Sequence, residues 1–285
     1  MSATTLFGWP THEERITGPG RFRVLGVPSD HGNGVSRGAA LGPSTIRRLS
    51  HHLTTPLPAG CDGGDIAVPA GLSVGGLLER VYHAITACLE DGHRPLVIGG
   101  DHSLSFAPID ALQQRHPVGV VWFDAHTDFS PWQGTRGHSH KQVLRRVETL
   151  PGVKHIVQVG YRGFTAGDET CLGNKAQVIT TAEAAQMHVS ALLDRMDRDL
   201  PWYISIDIDV VDPFRAPGTS APVPGGLMPE RLVELVAAIA RHRQVCGADV
   251  VEVNPRLDVE DMTSAVAASV LHVLAGTAQH QPVCA

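Results

Sequence analysis

Seven short apolar runs divide this chain, and most of them end at an acidic or histidine-bearing segment. The runs are Phe22–Val27, Pro95–Ile98, Gly119–Phe123, His155–Val159, Gln177–Ile179, Trp202–Ile206 and Val250–Val253. They are rich in Val and Ile and apolar at consecutive positions, as strands covered on both faces are. Helical patterns lie between them. Val74–Glu90 places Leu77, Leu78, Val81, Ile85 and Leu89 on one face, Ala182–Arg198 and Pro229–His242 follow the same rule, and a last helix is expected over Met262–Ala275. Pro229 suits a first helical turn. Strands alternating with helices pair in parallel through right-handed crossovers. The expected fold is therefore α/β, a single three-layer α/β/α domain with a mostly parallel central sheet. In such sheets ligands bind beyond the carboxyl ends of the strands.

Three clusters of metal-type ligands fall at those ends. They are Asp101-His102 in VIGGDHS, Asp124, His126 and Asp128 in VVWFDAHTD, and Asp207 and Asp209 in YISIDIDVVDP. A strand has a side-chain period of two, so 124/126/128 are expected on one face, and 207/209 likewise. Buried, unpaired Asp is rare. Several carboxylates in one place repel one another unless a cation sits among them. Asp124, Asp128, Asp207 and Asp209 bring four negative charges, which two divalent cations balance. His102 and His126 complete a ligand set around each ion. The residues alone thus point to a two-metal hydrolytic centre. Gly99 and Gly100 permit close backbone packing beside it, and Ser103 is expected to cap the following helix. Asp212, in Asp-Pro after a strand, reads as a turn residue outside the site.

Composition narrows the setting. A net charge of −6 and the absence of a long Lys/Arg run exclude a nucleic-acid partner and favour a small soluble substrate. Five scattered cysteines with no CxxC pair argue against a disulfide framework and a Cys-based zinc site. No 18-residue apolar run spans a membrane. The polar start MSATTLFGWPTHEER lacks the order of a secretion signal, so the expected localisation is cytoplasmic. Residues 1–20 are read as an N-terminal arm, and 21–285 as one catalytic domain.

GGDHS, DAHTD and SIDIDVVDP, followed by APGTSAPVPGGL and VVEVNP, resemble the ureohydrolase family: arginase, agmatinase, guanidino-acid hydrolases and formimidoylglutamase. The match runs in order from GVPSD near residue 26 to NPRLD near 258. The resemblance implies a binuclear manganese centre held by His102, Asp124, His126, Asp128, Asp207 and Asp209, and a homotrimer or homohexamer. Oxygen and imidazole donors suit Mn²⁺ and also admit Ni²⁺, Co²⁺ or Zn²⁺. It further implies that a metal-bridging hydroxide attacks the central carbon of a guanidinium, giving urea and an amine. Asp128 becomes the first proton acceptor, Glu252 faces the guanidinium, and His140 protonates the leaving amine, with His138 as the alternative.

Substrate choice falls to the loop FSPWQGTRGHS, where Ser130, Trp132, Thr135 and Arg136 stand in place of the arginase groups for an α-amino acid. YRGFTAGDE also lacks the acidic pattern that binds an α-ammonium. A guanidino acid or an agmatine-like amine is therefore expected rather than L-arginine, with Arg136 and Trp132 as substrate contacts. Ala221 and NPRLD lean toward the competing reading, a formimidoylglutamase-type hydrolase releasing formamide. A metal-dependent deacetylase and a non-catalytic binding protein are further alternatives. Two-metal ligation through His102 and Asp128 counts against the first, and retention of all six ligands against the second.

Overall fold

The computed structural model describes residues 4–11, 21–33, 36–54, 59–130, 138–163, 172–278 and 281. In chain order the elements are β1 (Phe22–Gly26), α1 (Gly42–Ser50), β2 (Gly60–Asp65), α2 (Val74–Glu90), β3 (Arg94–Ile98), α3 (Phe106–Gln113), β4 (Val118–Phe123) and α4 (Val143–Thr149). Then come β5 (Val153–Tyr161), β6 (Ala176–Thr180), α5 (Thr181–Gln186), α6 (Val189–Leu193), β7 (Trp202–Asp207), α7 (Pro229–His242), β8 (Val245–Val251) and α8 (Met262–Ala278).

The strands form one sheet in the order β2-β1-β3-β8-β7-β4-β5-β6, with every pairing parallel. Parallel neighbours need crossovers, and the helices that make them cover both faces. Helices α1, α7 and α8 pack together on one face, and α2, α3 and α4 on the other. Alternate residues of one strand enter different layers. Val121 and Phe123 of β4 join the core under α7 and α8, while Val120 and Trp122 join the core under α3 and α4. This is the expected three-layer α/β/α domain. No helix among the described residues is long and apolar enough to cross a membrane.

The sequence expectations and the structure part at identifiable places. Helices α2 and α7 have the expected ends, and α8 runs three residues further. The single helix expected over Ala182–Arg198 is two, because Met187 takes an extended conformation (φ −64°, ψ 147°) and His188 caps α6 by accepting from the Ser190 N–H. Strand β2 was not expected: GCDGGD has no apolar run, and it lies at the sheet edge. Strand β8 begins at Val245 rather than Val250, with Gly247 and Asp249 inside it. Within the expected arm, Leu6, Phe7 and Trp9 are buried in the main core.

Asp62 of β2 ties these edge pieces together. It accepts both the Arg47 Nε (2.8 Å) and Nη2 (2.9 Å) hydrogens and the Leu6 N–H at 2.7 Å. Arg47 also reaches Asp65 at 2.5 Å, but the Asp65 side chain is 41 % exposed against 1 % for Asp62. Asp62→Ala leaves a buried guanidinium without its bidentate partner and is expected to destabilise by about 3–5 kcal/mol. Asp65→Ala is expected to cost less than about 1 kcal/mol. Urea unfolding of both variants checks this ordering, and equal losses would contradict it.

Candidate metal centre

Four neighbouring strands at the centre of the sheet, β3, β8, β7 and β4, deliver the candidate residues at their carboxyl ends. Strands β3 and β4 follow one another in the chain but are separated in the sheet by β8 and β7. Such a reversal opens a crevice for ligands. His102 follows β3, Glu252 follows β8, Asp207 ends β7, and Asp124 begins the segment after β4.

The period-two argument does not describe this geometry. β4 stops at Phe123, so Asp124, His126 and Asp128 lie on irregular backbone, and Asp209 sits in a 3-10 turn over Ile208–Val210. Loop backbone, not a strand face, brings the side chains together. Asp124 Oδ1 accepts the His126 N–H at 2.6 Å, Asp207 Oδ1 accepts the Asp209 N–H at 2.8 Å, and Asp209 Oδ1 accepts the Ala125 N–H at 3.0 Å. Asp128 (φ 49°) and Glu252 (φ 60°) both occupy the left-handed region, sparsely populated for residues with a Cβ. A Cβ on Gly100 would lie 1.6 Å from the Ser29 carbonyl oxygen, so the glycine lets the segment before His102 pass close to the Ser29 backbone. Asp101, rather than Ser103, caps the turn after β3: it accepts the N–H groups of Ser103 and Gly32.

Two ligand groups result. His102 Nδ1 lies 3.3 Å from Asp124 Oδ2, 3.2 Å from Asp128 Oδ2 and 3.2 Å from Asp207 Oδ2. His126 Nδ1 lies 3.5 Å from Asp124 Oδ1 and 2.9 Å from Asp209 Oδ2. Asp124 therefore turns one oxygen to each histidine. His102, Asp124 and Asp128 have donor atoms within 4.8 Å of one another, as do Asp124, His126 and Asp209.

A second ring of residues fixes His102. Ser205 Oγ donates its hydrogen to Asp249 Oδ1 at 2.7 Å, so at its 2.9 Å contact with His102 Nε2 it accepts. The Nε2 proton is thereby specified, and Nδ1 is the atom left to face the carboxylates. The imidazole stacks on Trp122 at 4.0 Å and 8°, and Trp122 Nε1 donates to Asp124 Oδ2 at 3.0 Å. Tyr203 donates to the other Asp249 oxygen at 2.8 Å.

Beside the carboxylates lies a cavity of about 290 Å³, lined by Asp128, Asp207, Asp209 and His126 on one side and by Glu252 and His140 with them. His140 Nδ1 is 3.3 Å from Glu252 Oε1, and its buried Nε2 has no hydrogen-bond partner among the described residues. Glu252 also accepts the His102 N–H at 2.9 Å. His138 faces elsewhere: it contacts Arg146 Nη1 and lines a separate hollow with Phe106 and Tyr82. Arg136 and Trp132 lie outside the described residues. Asp212 accepts the N–H groups of Phe214, Gly225 and Gly226, which makes it a loop clip.

Comparison with known proteins agrees with this geometry. The arginase family model matches residues 21–276. The chain belongs to the arginase family. It is 33 % identical over 267 residues to proclavaminate amidinohydrolase of Streptomyces clavuligerus, covering 87 % of this chain and 84 % of that protein. The solved structure of that enzyme superposes with a TM-score of 0.86 over 98 % of both chains at 29 % identity. Guanidinopropionase of Pseudomonas aeruginosa is 34 % identical over 282 residues, covering 91 % and 87 %. Formimidoylglutamase of Bacillus subtilis superposes with a TM-score of 0.85 at 27 % identity, over 98 % of this chain and 93 % of that one. As an arginase-family member the chain is a metal-dependent hydrolase of linear amidine C–N bonds, of a family that is binuclear.

The arginase-family chain here has side chains that fit such a pair of cations. Among the described residues, buried His102 Nδ1 makes no hydrogen bond although three carboxylates surround it. The donors are carboxylate oxygen and imidazole nitrogen, the set that hard and borderline divalent ions take. Protons compete for the same atoms. Burial and the Asp124 charge raise the Asp128 carboxyl to about 6, although His102 and His140 pull it down. Burial, Asp209 and Asp124 hold Asp207 well above the carboxylate range. Burial disfavours charge on His126, but Asp124 and Asp209 outweigh it and raise its pKa. Groups with raised pKa values keep their protons to higher pH, so cations must displace them and affinity falls as pH falls through 6. Titration calorimetry with Mn²⁺ in buffers of different ionisation enthalpy is expected to show proton release and, by mass action, a raised melting temperature. Asp124→Ala, which removes the carboxylate facing both histidines, is expected to lower bound metal more than His126→Ala. No proton release and unchanged metal content would contradict this assignment.

Proposed function

We propose that this chain hydrolyses the guanidino group of a small molecule to urea and an amine. Its substrate is a guanidino acid or an agmatine-like amine rather than L-arginine. The observation that carries this reading is the pairing of Glu252 with His140 in a cavity that His126, Asp128, Asp207 and Asp209 also line. His102, Asp124, His126, Asp128, Asp207 and Asp209 would hold two cations, with Mn²⁺ as the native metal. Two such cations would lower the pKa of bound water and supply a nucleophile near neutral pH.

The chain's own residues do the rest. Glu252, a buried carboxylate, is a bidentate partner for a planar guanidinium and sets the central carbon before the carboxylate cluster. Asp128 takes the proton released as the water oxygen bonds to that carbon. The tetrahedral product of attack then breaks its bond to the nitrogen that carries the tail. His140, whose Nε2 has no hydrogen-bond partner among the described residues, gives that nitrogen a proton. Burial opposes charge on His140, but Glu252, Asp128 and Asp101 raise its pKa overall, which favours the protonated form that acts as the acid.

Formimidoyl hydrolysis is the second reading, favoured by Ala221 in the cavity wall and by the likeness to formimidoylglutamase. The assembly proposed is a homotrimer or homohexamer. Exposed Phe214 (80 %), Val259 and Leu257 are apolar surface that subunit contacts would cover. Cys61 and Cys88 are buried free thiols, which suits a cytoplasmic setting.

The deciding measurement is urea release by Mn²⁺-loaded protein from L-arginine, agmatine, 3-guanidinopropionate, 4-guanidinobutyrate and guanidinoacetate, with N-formimino-L-glutamate scored for formamide. Urea from an acid or from agmatine, with L-arginine poorest, is expected. Formamide alone would replace this reading with the second. His140→Ala is expected to lower kcat by about 100-fold with bound metal unchanged.

A further inference from the structure

We infer that Lys141 is the residue that selects the substrate's tail, by binding a carboxylate at the end remote from the guanidinium. This rests on the function proposed above and narrows its substrate to a guanidino acid. Among the described residues, Lys141 is the one lysine or arginine lining the catalytic cavity. It is exposed, which sets it at the mouth of the cavity rather than among the buried carboxylates. No acidic side chain among the described residues lies within ion-pair distance of it.

The direction of the tail follows from the chemistry. The nitrogen that His140 protonates is the nitrogen that carries the tail, so the tail leaves the reacting centre beside His140. Lys141 is the next residue. Its backbone is pinned there: its carbonyl accepts the Ser130 N–H at 2.9 Å, its N–H donates to Ser139 Oγ at 3.3 Å, and the His140 N–H donates to the Gly32 carbonyl at 3.3 Å. A long flexible stem on a fixed base places a cation over the exit. The rest of the nearby wall is neutral, with Asn33, Ser130, Thr219 and Ser220. A carboxylate meets a charge-assisted partner there. The ammonium of an amine such as agmatine meets a like charge, and rejection of the wrong tail comes from that repulsion.

The test uses full-length, Mn²⁺-loaded protein and its Lys141→Ala, Lys141→Glu and Lys141→Arg variants. Urea kinetics and titration calorimetry are run with 3-guanidinopropionate, 4-guanidinobutyrate and agmatine. The preference for acid over amine is expected to fall about tenfold in Lys141→Ala. It should reverse in Lys141→Glu and persist in Lys141→Arg. The change should lie in KM and the dissociation constant, with kcat little altered. If all four proteins release urea with the same acid-to-amine ratio, the assignment of Lys141 is overturned while the proposed function stands. If wild-type protein neither binds nor cleaves any guanidino compound, the proposed function falls and the role of Lys141 with it.

Discussion

Like charges held together out of water set the terms for this structure. Asp124, Asp128, Asp207 and Asp209 converge with almost no solvent contact, and their repulsion has to be offset by protons or by cations. Without cations, protons go onto His102, His126 and the higher carboxyls. With cations, those protons leave. The scaffold tolerates either state because the four carboxylates stand at and just beyond the ends of β7 and β4, two central strands whose backbone is fixed by apolar layers on both faces. Sequence pattern, sheet order and site chemistry converge on the same rim.

Around that rim the protein spends local stability on geometry. Asp128 and Glu252 in the left-handed region cost about 1–3 kcal/mol each. Such conformations persist only where neighbours over-determine them. Glu252 has the His102 N–H and His140 upon it, and the Asp128 carbonyl accepts from the Leu144 N–H of α4. The Asp249–Ser205–His102 series extends this logic into the sheet, where a buried acid inside β8 decides which imidazole nitrogen faces the site.

The strand-end clusters were legible in the sequence because an Asp or His directly after a fully apolar run has few structural explanations. The means by which they converge was not legible. Period two belongs to strands, and the residues after Phe123 have left the strand. Asp249 carried the same signal as Asp207, an acid inside an apolar strand, but Gly247 and Asp249 broke the run and moved the expected start of β8 to Val250. Strand β2 was hidden because Gly60–Asp65 owes its place to Asp62 and Arg47 rather than to buried apolar side chains. Helices α1, α3 and α4 span only 9, 8 and 7 residues and have no side-chain N-cap, so too few turns and no capping signal announced them.

Reaction type and substrate choice thus rest on different kinds of structure. The proposed ligands and Glu252 lie at or just beyond the ends of central strands, so their types and spacing show through the sequence as motifs. The wall that reads the tail is assembled from segments after β1, β4 and β7 and from the turn at His140, far apart in sequence and without periodicity. Asn254 illustrates the joining: its amide nitrogen donates to Ser36 Oγ, to the Arg37 carbonyl and to Ser220 Oγ, linking two of those segments. The sequence motifs end at His140, the histidine proposed as the acid. Folding carries the neighbouring Lys141 into the same cavity, and its charge is legible as a specificity element only once the direction of the leaving tail is known.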